Sequence, residues 1–310
     1  MQETINKKIL VIYHRVDYDG LFSNAIIRKY AFDDSYPEFV SYGFNYGDNI
    51  DDIPSFDDFD KVIMADISLP IDVMKQIHEK YFDKVIWIDH HITAIQNSID
   101  NGYDDFNGIR DNAHSACKLC WKFFSKRSVP YAIELINAND IWKKDTEFDW
   151  DNEIQALQYG LSFELKMDPE AICTSLTAIC FGTYAGTLIS NGRKVKEYME
   201  SLYKTWCERY SFPVTVNNTW KGLAMISPMF TSKVFTSITD EEYDCFVVLE
   251  KNGAKEGIYN VSIYSGNRQC EDLNCGGYLQ EKYNGGGHKG AGGGTLNLSE
   301  FTKVIEEHVL

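Results

Sequence analysis

Short apolar runs alternate with stretches of helical period along the first ninety residues. The runs are Ile9–Tyr13, Phe39–Tyr42, Val62–Ala65 and Val85–Ile88, and between them lie Leu21–Tyr30 and Ile71–Lys80. That rhythm predicts strands and helices in turn, and hence a parallel sheet. In such sheets ligands collect beyond the carboxyl ends of the strands, so the residues just after each run are where chemistry is expected. From Cys117 to about Tyr210 the pattern is mostly helical, ending in the charged and apolar alternation of Arg193–Tyr210. After Pro213 strand-like runs return as VTVN, GLAMI, CFVVLE and YNVSIYS, with helical stretches at Asp272–Tyr283 and Ser299–His308. The expected fold is α/β. A parallel-sheet domain covers 1–190, a helical connector 191–211 and a smaller α/β domain 212–310, with the active site in a cleft between the domains.

Length and charge narrow the class. A chain of 310 residues suits two domains. Acidic residues outnumber basic ones 46 to 30, a formal charge of -16, so a long nucleic acid duplex would meet net repulsion. The start, MQETINKKIL, has no secretory pattern, and a cytoplasmic protein is expected. The uncharged run Ala171–Asn191 holds six Ser and Thr and two Gly, which favours a buried helix over a membrane span. The eight cysteines are expected as free thiols, and Cys117 and Cys120 lie on an amphipathic stretch with no second pair to complete a zinc set.

The strand ends are rich in metal-ligand types. His14, Asp17 and Asp19 follow the first run, Asp66 the third, and Asp89, His90 and His91 the fourth, while Asp140 follows a helical stretch. Taken singly, each of these is more often structural, as a helix cap or a core residue. Together they read differently, because converging carboxylates repel unless a cation lies among them. Oxygen and imidazole ligands suit manganese or a similar divalent ion.

The motifs HRVDYDG (14–20), MADIS (64–68), WIDHHIT (87–93) and NDIW (139–142) resemble, in order, the four motifs of the DHH phosphoesterases. That superfamily includes nanoRNases, RecJ-type exonucleases and family-II pyrophosphatases. YNGGGHKGAGGG (283–294) is similar to the glycine-rich signature of the DHH-associated C-terminal domain. The resemblance implies two divalent ions, Mn2+ preferred, with Mg2+ or Co2+ as alternatives. It implies His14 and Asp17 on the first ion, Asp19, His90 and Asp140 on the second, and Asp66 bridging both. By the same resemblance Asp89 would orient a neighbouring imidazole and His91 would face the scissile phosphate. Two features depart from the nanoRNase pattern: His14 precedes Asp17 by three residues rather than four, and Tyr264 stands where VSLRS has Arg.

Such a site would activate water for in-line attack on a phosphate ester or anhydride. Gly285, Gly286, Gly287, His288 and Lys289, with Arg268 nearby, are expected to bind the substrate's anionic part. The expected substrates are short nucleotides: oligoribonucleotides, linear dinucleotides or nucleotide 3′,5′-bisphosphates. Trp142, Tyr264 and Tyr283 are candidates for base stacking. An exopolyphosphatase or pyrophosphatase is the competing enzyme, and a catalytically silent nucleotide-binding protein is the competing reading of another class. No membrane partner is expected, and a homodimer is left open.

Overall fold

A computed structural model describes residues 8–31, 38–226, 232–238, 242–253, 255–283 and 285–302. The chain divides into two units, Met1–Lys196 and Glu197–Leu310.

In the first unit the four apolar runs are strands β1 (Lys8–His14), β2 (Glu38–Phe44), β3 (Lys61–Ala65) and β4 (Val85–Ile88). All pair in parallel, in the order β2-β1-β3-β4. The helices are α1 (Tyr18–Tyr30), α2 (Ile71–Tyr81), α3 (Ile92–Asn101), α4 (Ala116–Phe124), α5 (Tyr131–Asp140), α6 (Ala156–Glu164), α7 (Pro169–Phe181) and the first part of α8 (Tyr184–Tyr210). Successive side chains leave a strand on opposite faces. Ile9, Val11, Ile63, Ala65 and Ile88 therefore enter one core with α1, α4, α5, α6 and α7, while Leu10, Ile12, Val62, Met64 and Trp87 enter a second with α2 and α3. Both faces being covered explains why the runs are continuously apolar rather than alternating.

The uncharged run at 171–191 folds into α7 and the start of α8, which are bent from one another by 105°. Its apolar positions Ile172, Leu176, Ile179 and Leu188 are buried in the first unit's core. No single helix among the described residues is long and apolar enough to cross a membrane. The stretch expected as a connector is the C-terminal part of α8, and the division between the units falls inside that helix.

The second unit holds β5 (Ser211–Val216), β6 (Trp220–Ile226), β7 (Cys245–Lys251), β8 (Ile258–Ser265), α9 (Cys275–Lys282), β9 (Gly286–His288) and β10 (Ala291–Asn297). The strands form one sheet in the order β5-β6-β7-β8-β10-β9, in which β6 and β7 are parallel and the other pairs antiparallel. Val247, Leu249, Val261 and Ile263 pack with Leu279 of α9 on one face. Phe246 and Val248 pack with Tyr203 and Cys207 of α8 on the other. The described part of the stretch Ser299–His308 is helical at residues 299–302, and the rest lies outside the described residues.

Candidate metal centre

The side chains at the carboxyl ends of β1, β3 and β4 meet at one point. His14 closes β1, and its Nδ1 lies 2.6 Å from Asp17 Oδ2 and 3.6 Å from Asp66 Oδ2. Asp17 is also the N-cap of α1, its Oδ1 accepting from the Gly20 amide at 2.9 Å, so the capping role and the site role coexist on its two oxygens. Gly20 makes this turn possible: a Cβ there would sit 1.9 Å from the His14 carbonyl oxygen. One step earlier, the buried Asp19 accepts from the amides of Ala116 and Cys117 at 2.7 and 2.8 Å. Ser115, the N-cap of α4, makes no side-chain cap bond. Asp19 therefore satisfies two of the donors that a helix start leaves open.

Asp66 follows β3 in the left-handed region, with φ 61°. It is 1% exposed and neither carboxylate oxygen has a hydrogen-bond partner of normal geometry. Such strain in a non-glycine residue persists where the surroundings hold it, characteristically at functional sites. His90 Nε2 lies 3.2 Å from Asp66 Oδ1, 3.3 Å from Asp140 Oδ2 and 3.8 Å from Asp19 Oδ2. Asp140 is the last residue of α5. Three groups offer ligand atoms within 4.8 Å of one another: His14, Asp17 and Asp66; Asp19, His90 and Asp140; and Asp66, His90 and His91.

The electrostatics of this cluster would be eased by a cation. Burial and the charge of Asp19 hold the Asp66 carboxyl well above the usual carboxylate range, and the same two causes raise Asp140. Burial alone would lower the His14 imidazole, but bonding to Asp17 and Asp66 outweighs it and raises the ring to about 10. Four buried or half-buried carboxylates thus lie close to one another, and unpartnered buried oxygens are costly. Divalent ions with oxygen and nitrogen ligands fit that donor set. No thiolate competes, since burial pushes Cys117 and Cys120 well up.

Asp89 is fully buried, and its Oδ1 accepts from the His90 and His91 amides and from His91 Nδ1 at 2.7 Å. That bond leaves His91 Nε2 as the ring atom available to a metal or a substrate. His91 lines a cavity of about 520 Å3 with Tyr46, Ser68 and Leu69. The sequence reading missed Asn45, whose Oδ1 lies 3.1 Å from His14 Nε2. An acceptor there keeps the proton on Nε2 and presents Nδ1 to the site. Nothing in the local sequence marks this, because Asn45 belongs to the loop after β2 and reaches His14 only through the pairing of β1 with β2.

In the second unit the expected anion-binding glycines form an edge ribbon. Gly286 and Gly287 pair with Gly293 and Gly292 across the β9-β10 ladder. A Cβ on Gly276 of α9 would lie 2.4 Å from the Gly287 backbone, and one on Gly285 would lie 2.1 Å from the Gly293 oxygen. The side chain of His288 lies outside the described residues. Arg268 makes a two-pronged ion pair with Asp244, its Nε 2.6 Å from Oδ1. Arg268 and the exposed Lys289 both line a cavity of about 450 Å3. Tyr264 packs against the core shared with α8, and Tyr283 makes an edge contact with Tyr278 at 5.8 Å.

Fold and site together define an α/β domain whose carboxylate and imidazole cluster could hold divalent ions. Residues 8–144 match the model of the DHH family, N-terminal domain. No curated protein matches the sequence. Among solved structures, a pGpG-specific phosphodiesterase, PggH, from Vibrio cholerae is similar at 13% identity, covering 97% of each chain with a TM-score of 0.56. The DHH domain of a member of a ribosomal-protein family is similar at 16% identity, covering 98% of this chain and 86% of that one with a TM-score of 0.63. At these identities the likeness is one of fold.

Proposed function

We propose that this protein hydrolyses short nucleotide substrates, oligoribonucleotides or linear dinucleotides among them, at a centre of two divalent ions, Mn2+ preferred. The observation that carries the reading is Asp66: a buried carboxylate with both oxygens unsatisfied, between a His14-Asp17 pair and an Asp19-His90-Asp140 group. In this reading His14 and Asp17 would hold one ion and Asp19, His90 and Asp140 the other, with Asp66 available to both. Bound there, the ions would supply an acidified water and neutralise charge that builds on the phosphoryl oxygens.

The chain's own residues set the geometry. The amides of Ala116 and Cys117 fix Asp19, Asn45 fixes the tautomer of His14, and the left-handed backbone aims Asp66. Asp89 holds His91 and raises its ring against the opposing effect of burial. His91 is thereby kept ready to donate from Nε2 to a phosphoryl oxygen. The fold neighbour that acts on pGpG supports a short substrate, as does a net charge of -16, which disfavours a long polyanion.

The test is a turnover panel with Mn2+, Mg2+ or Co2+, comparing short RNA, linear dinucleotide, nucleotide bisphosphate, pyrophosphate and polyphosphate. Preferential cleavage of the short nucleotides is expected. Faster turnover of pyrophosphate or polyphosphate would replace the reading with anhydride hydrolysis. No turnover of any, with metal bound, would make the protein a silent nucleotide binder.

A further inference from the structure

Helix α5 carries Asp140 as its last residue and ends in a closed C-terminal motif. The Lys143 amide donates to the Ala138 carbonyl at 2.8 Å, and the Trp142 amide donates to the Asn139 carbonyl at 3.2 Å. This pair of bonds defines a Schellman cap, whose penultimate position takes the left-handed conformation and is usually glycine. Here that position is Trp142, with φ 54°. A bulky side chain in this region is an outlier, and glycine would hold the same backbone freely.

The indole contributes little to the fold, being 62% exposed. Its aromatic neighbour is Trp150, edge-on at 5.0 Å and 73°. The Lys144 ammonium stands 5.2 Å from the Trp142 ring and 5.4 Å from the Trp150 ring. Trp150 opens a π-helical turn, Trp150–Gln155, a rare form that recurs at functional sites. That turn is tied back to α5 by Gln155 Nε2 donating to Asn139 Oδ1 at 2.7 Å. Both indoles are thus anchored to the helix that ends on Asp140. Two chain steps separate Asp140 from Trp142, which keeps their Cα atoms within about 7 Å.

We infer that Trp142, backed by Trp150 and flanked by Lys144, is a base-stacking platform that selects substrates carrying a nucleobase next to the phosphate held at the metal centre. The inference rests on the nucleotide reading of that centre and deepens it. A polyphosphate has no flat apolar face to offer an indole, whereas every base does, and stacking tolerates all four bases. Lys144 adds a cation beside the ring, as a phosphodiester flanking the stacked base requires.

The experiment uses the full-length chain with Mg2+, and the variants W142G and W142F. Intrinsic tryptophan fluorescence is titrated with adenosine 5′-monophosphate and with ribose 5-phosphate. Hydrolysis of a dinucleotide is compared with that of its abasic analogue. The nucleotide should quench the wild type and W142G should lose that response, while ribose phosphate leaves the emission unchanged in both. In W142G the KM for the dinucleotide should rise about 5- to 100-fold, the effect of one lost stack. The kcat/KM ratio of dinucleotide to abasic analogue should fall towards one, and W142F should restore most of it. The melting temperature of W142G should not drop, because glycine suits the cap. Equal losses on both substrates, or nucleotide quenching that survives in W142G, would overturn the platform. If the wild type cleaves no nucleotide yet shows Trp142-dependent quenching, the platform stands and the reaction assigned to the centre falls.

Discussion

Replacing Asp66 by Asn isolates the electrostatic argument from the catalytic one. Asn tolerates the left-handed φ of this position, so the backbone is not the variable. Asp17 and Asp66 each place an oxygen within 4.8 Å of the other. At an effective dielectric near 20, two unit charges so placed repel by roughly 3–4 kcal/mol. Part of that is already relieved in the metal-free protein, since burial and Asp19 raise the Asp66 carboxyl. Removing the charge should therefore stabilise the metal-free protein by about 1–2 kcal/mol, a rise in melting temperature of roughly 2–8 °C for a unit of this size. With metal the order should reverse. Ligand at a hundred times its dissociation constant stabilises by about 2.7 kcal/mol, and the variant, lacking the shared carboxylate, should keep less than half of the Mn2+-induced shift. Differential scanning calorimetry in chelator and then in a Mn2+ series measures both. Metal-free D66N melting below the metal-free wild type, or an undiminished Mn2+ shift, would refute the account of Asp66 as a carboxylate held for cations.

Three further outcomes follow from the geometry. G20A should lose more than about 3 kcal/mol in urea unfolding, because the new Cβ would lie 1.9 Å from the His14 oxygen and α1 cannot yield without moving Asp17 and Asp19; a loss under ~1 kcal/mol would show the contact is soft. N45A should weaken divalent-ion binding about 10- to 100-fold by calorimetry, since the acceptor that fixes the His14 ring is gone; unchanged affinity would remove Asn45 from the site. D244N probes the second unit by pH. The Arg268 guanidinium beside Asp244 lowers its carboxyl, so the pair's stabilisation is present above the unfolded value near ~4 and fades as pH falls through the lower folded value. The wild type should exceed D244N in stability by a constant margin from pH 6 to 8, narrowing only below about 4; a margin that widens on acidification would contradict that sign.

How much of this was legible depends on whether a residue's position follows from the strand logic. His14, Asp17, Asp19, Asp66, Asp89, His90 and His91 all lie at the carboxyl end of a strand of one parallel sheet or within the few residues that follow it, so their convergence follows once the runs are recognised as parallel. Asp140 does not; it ends a helix, and only the motif NDIW points to it. The residues that hold the ligands were invisible. Asp19 is gripped by amides 97 and 98 positions away, at the start of a helix whose own cap residue makes no cap bond. The left-handed backbone at Trp142 was equally hidden, because a tryptophan after a helix carries no turn signal, whereas a glycine there would have announced one.

The glycine-rich segment separates what a motif states from what a fold requires. A run of glycines reads as a backbone nest for an anion, because successive amides without side chains can close on a charge. Yet Gly287 lies at φ 138° against the backbone of Gly276, and Gly285 lies where a Cβ would strike the Gly293 oxygen. Those contacts already exclude every other residue, whether or not an anion ever binds. The ladder between β9 and β10 engages this stretch as a strand, so the segment's glycines act by letting the ribbon pass close beneath α9. An anion bound in this unit would then be held by side chains. Arg268 is committed to Asp244, which itself caps the amide of Lys221 at 2.8 Å, and withdrawing the guanidinium would leave a carboxylate that is 3% exposed without its partner. Lys289, exposed beside the same cavity, carries no such obligation among the described contacts, and the charge it brings to a phosphate is a point charge on a flexible stem rather than a fixed fork.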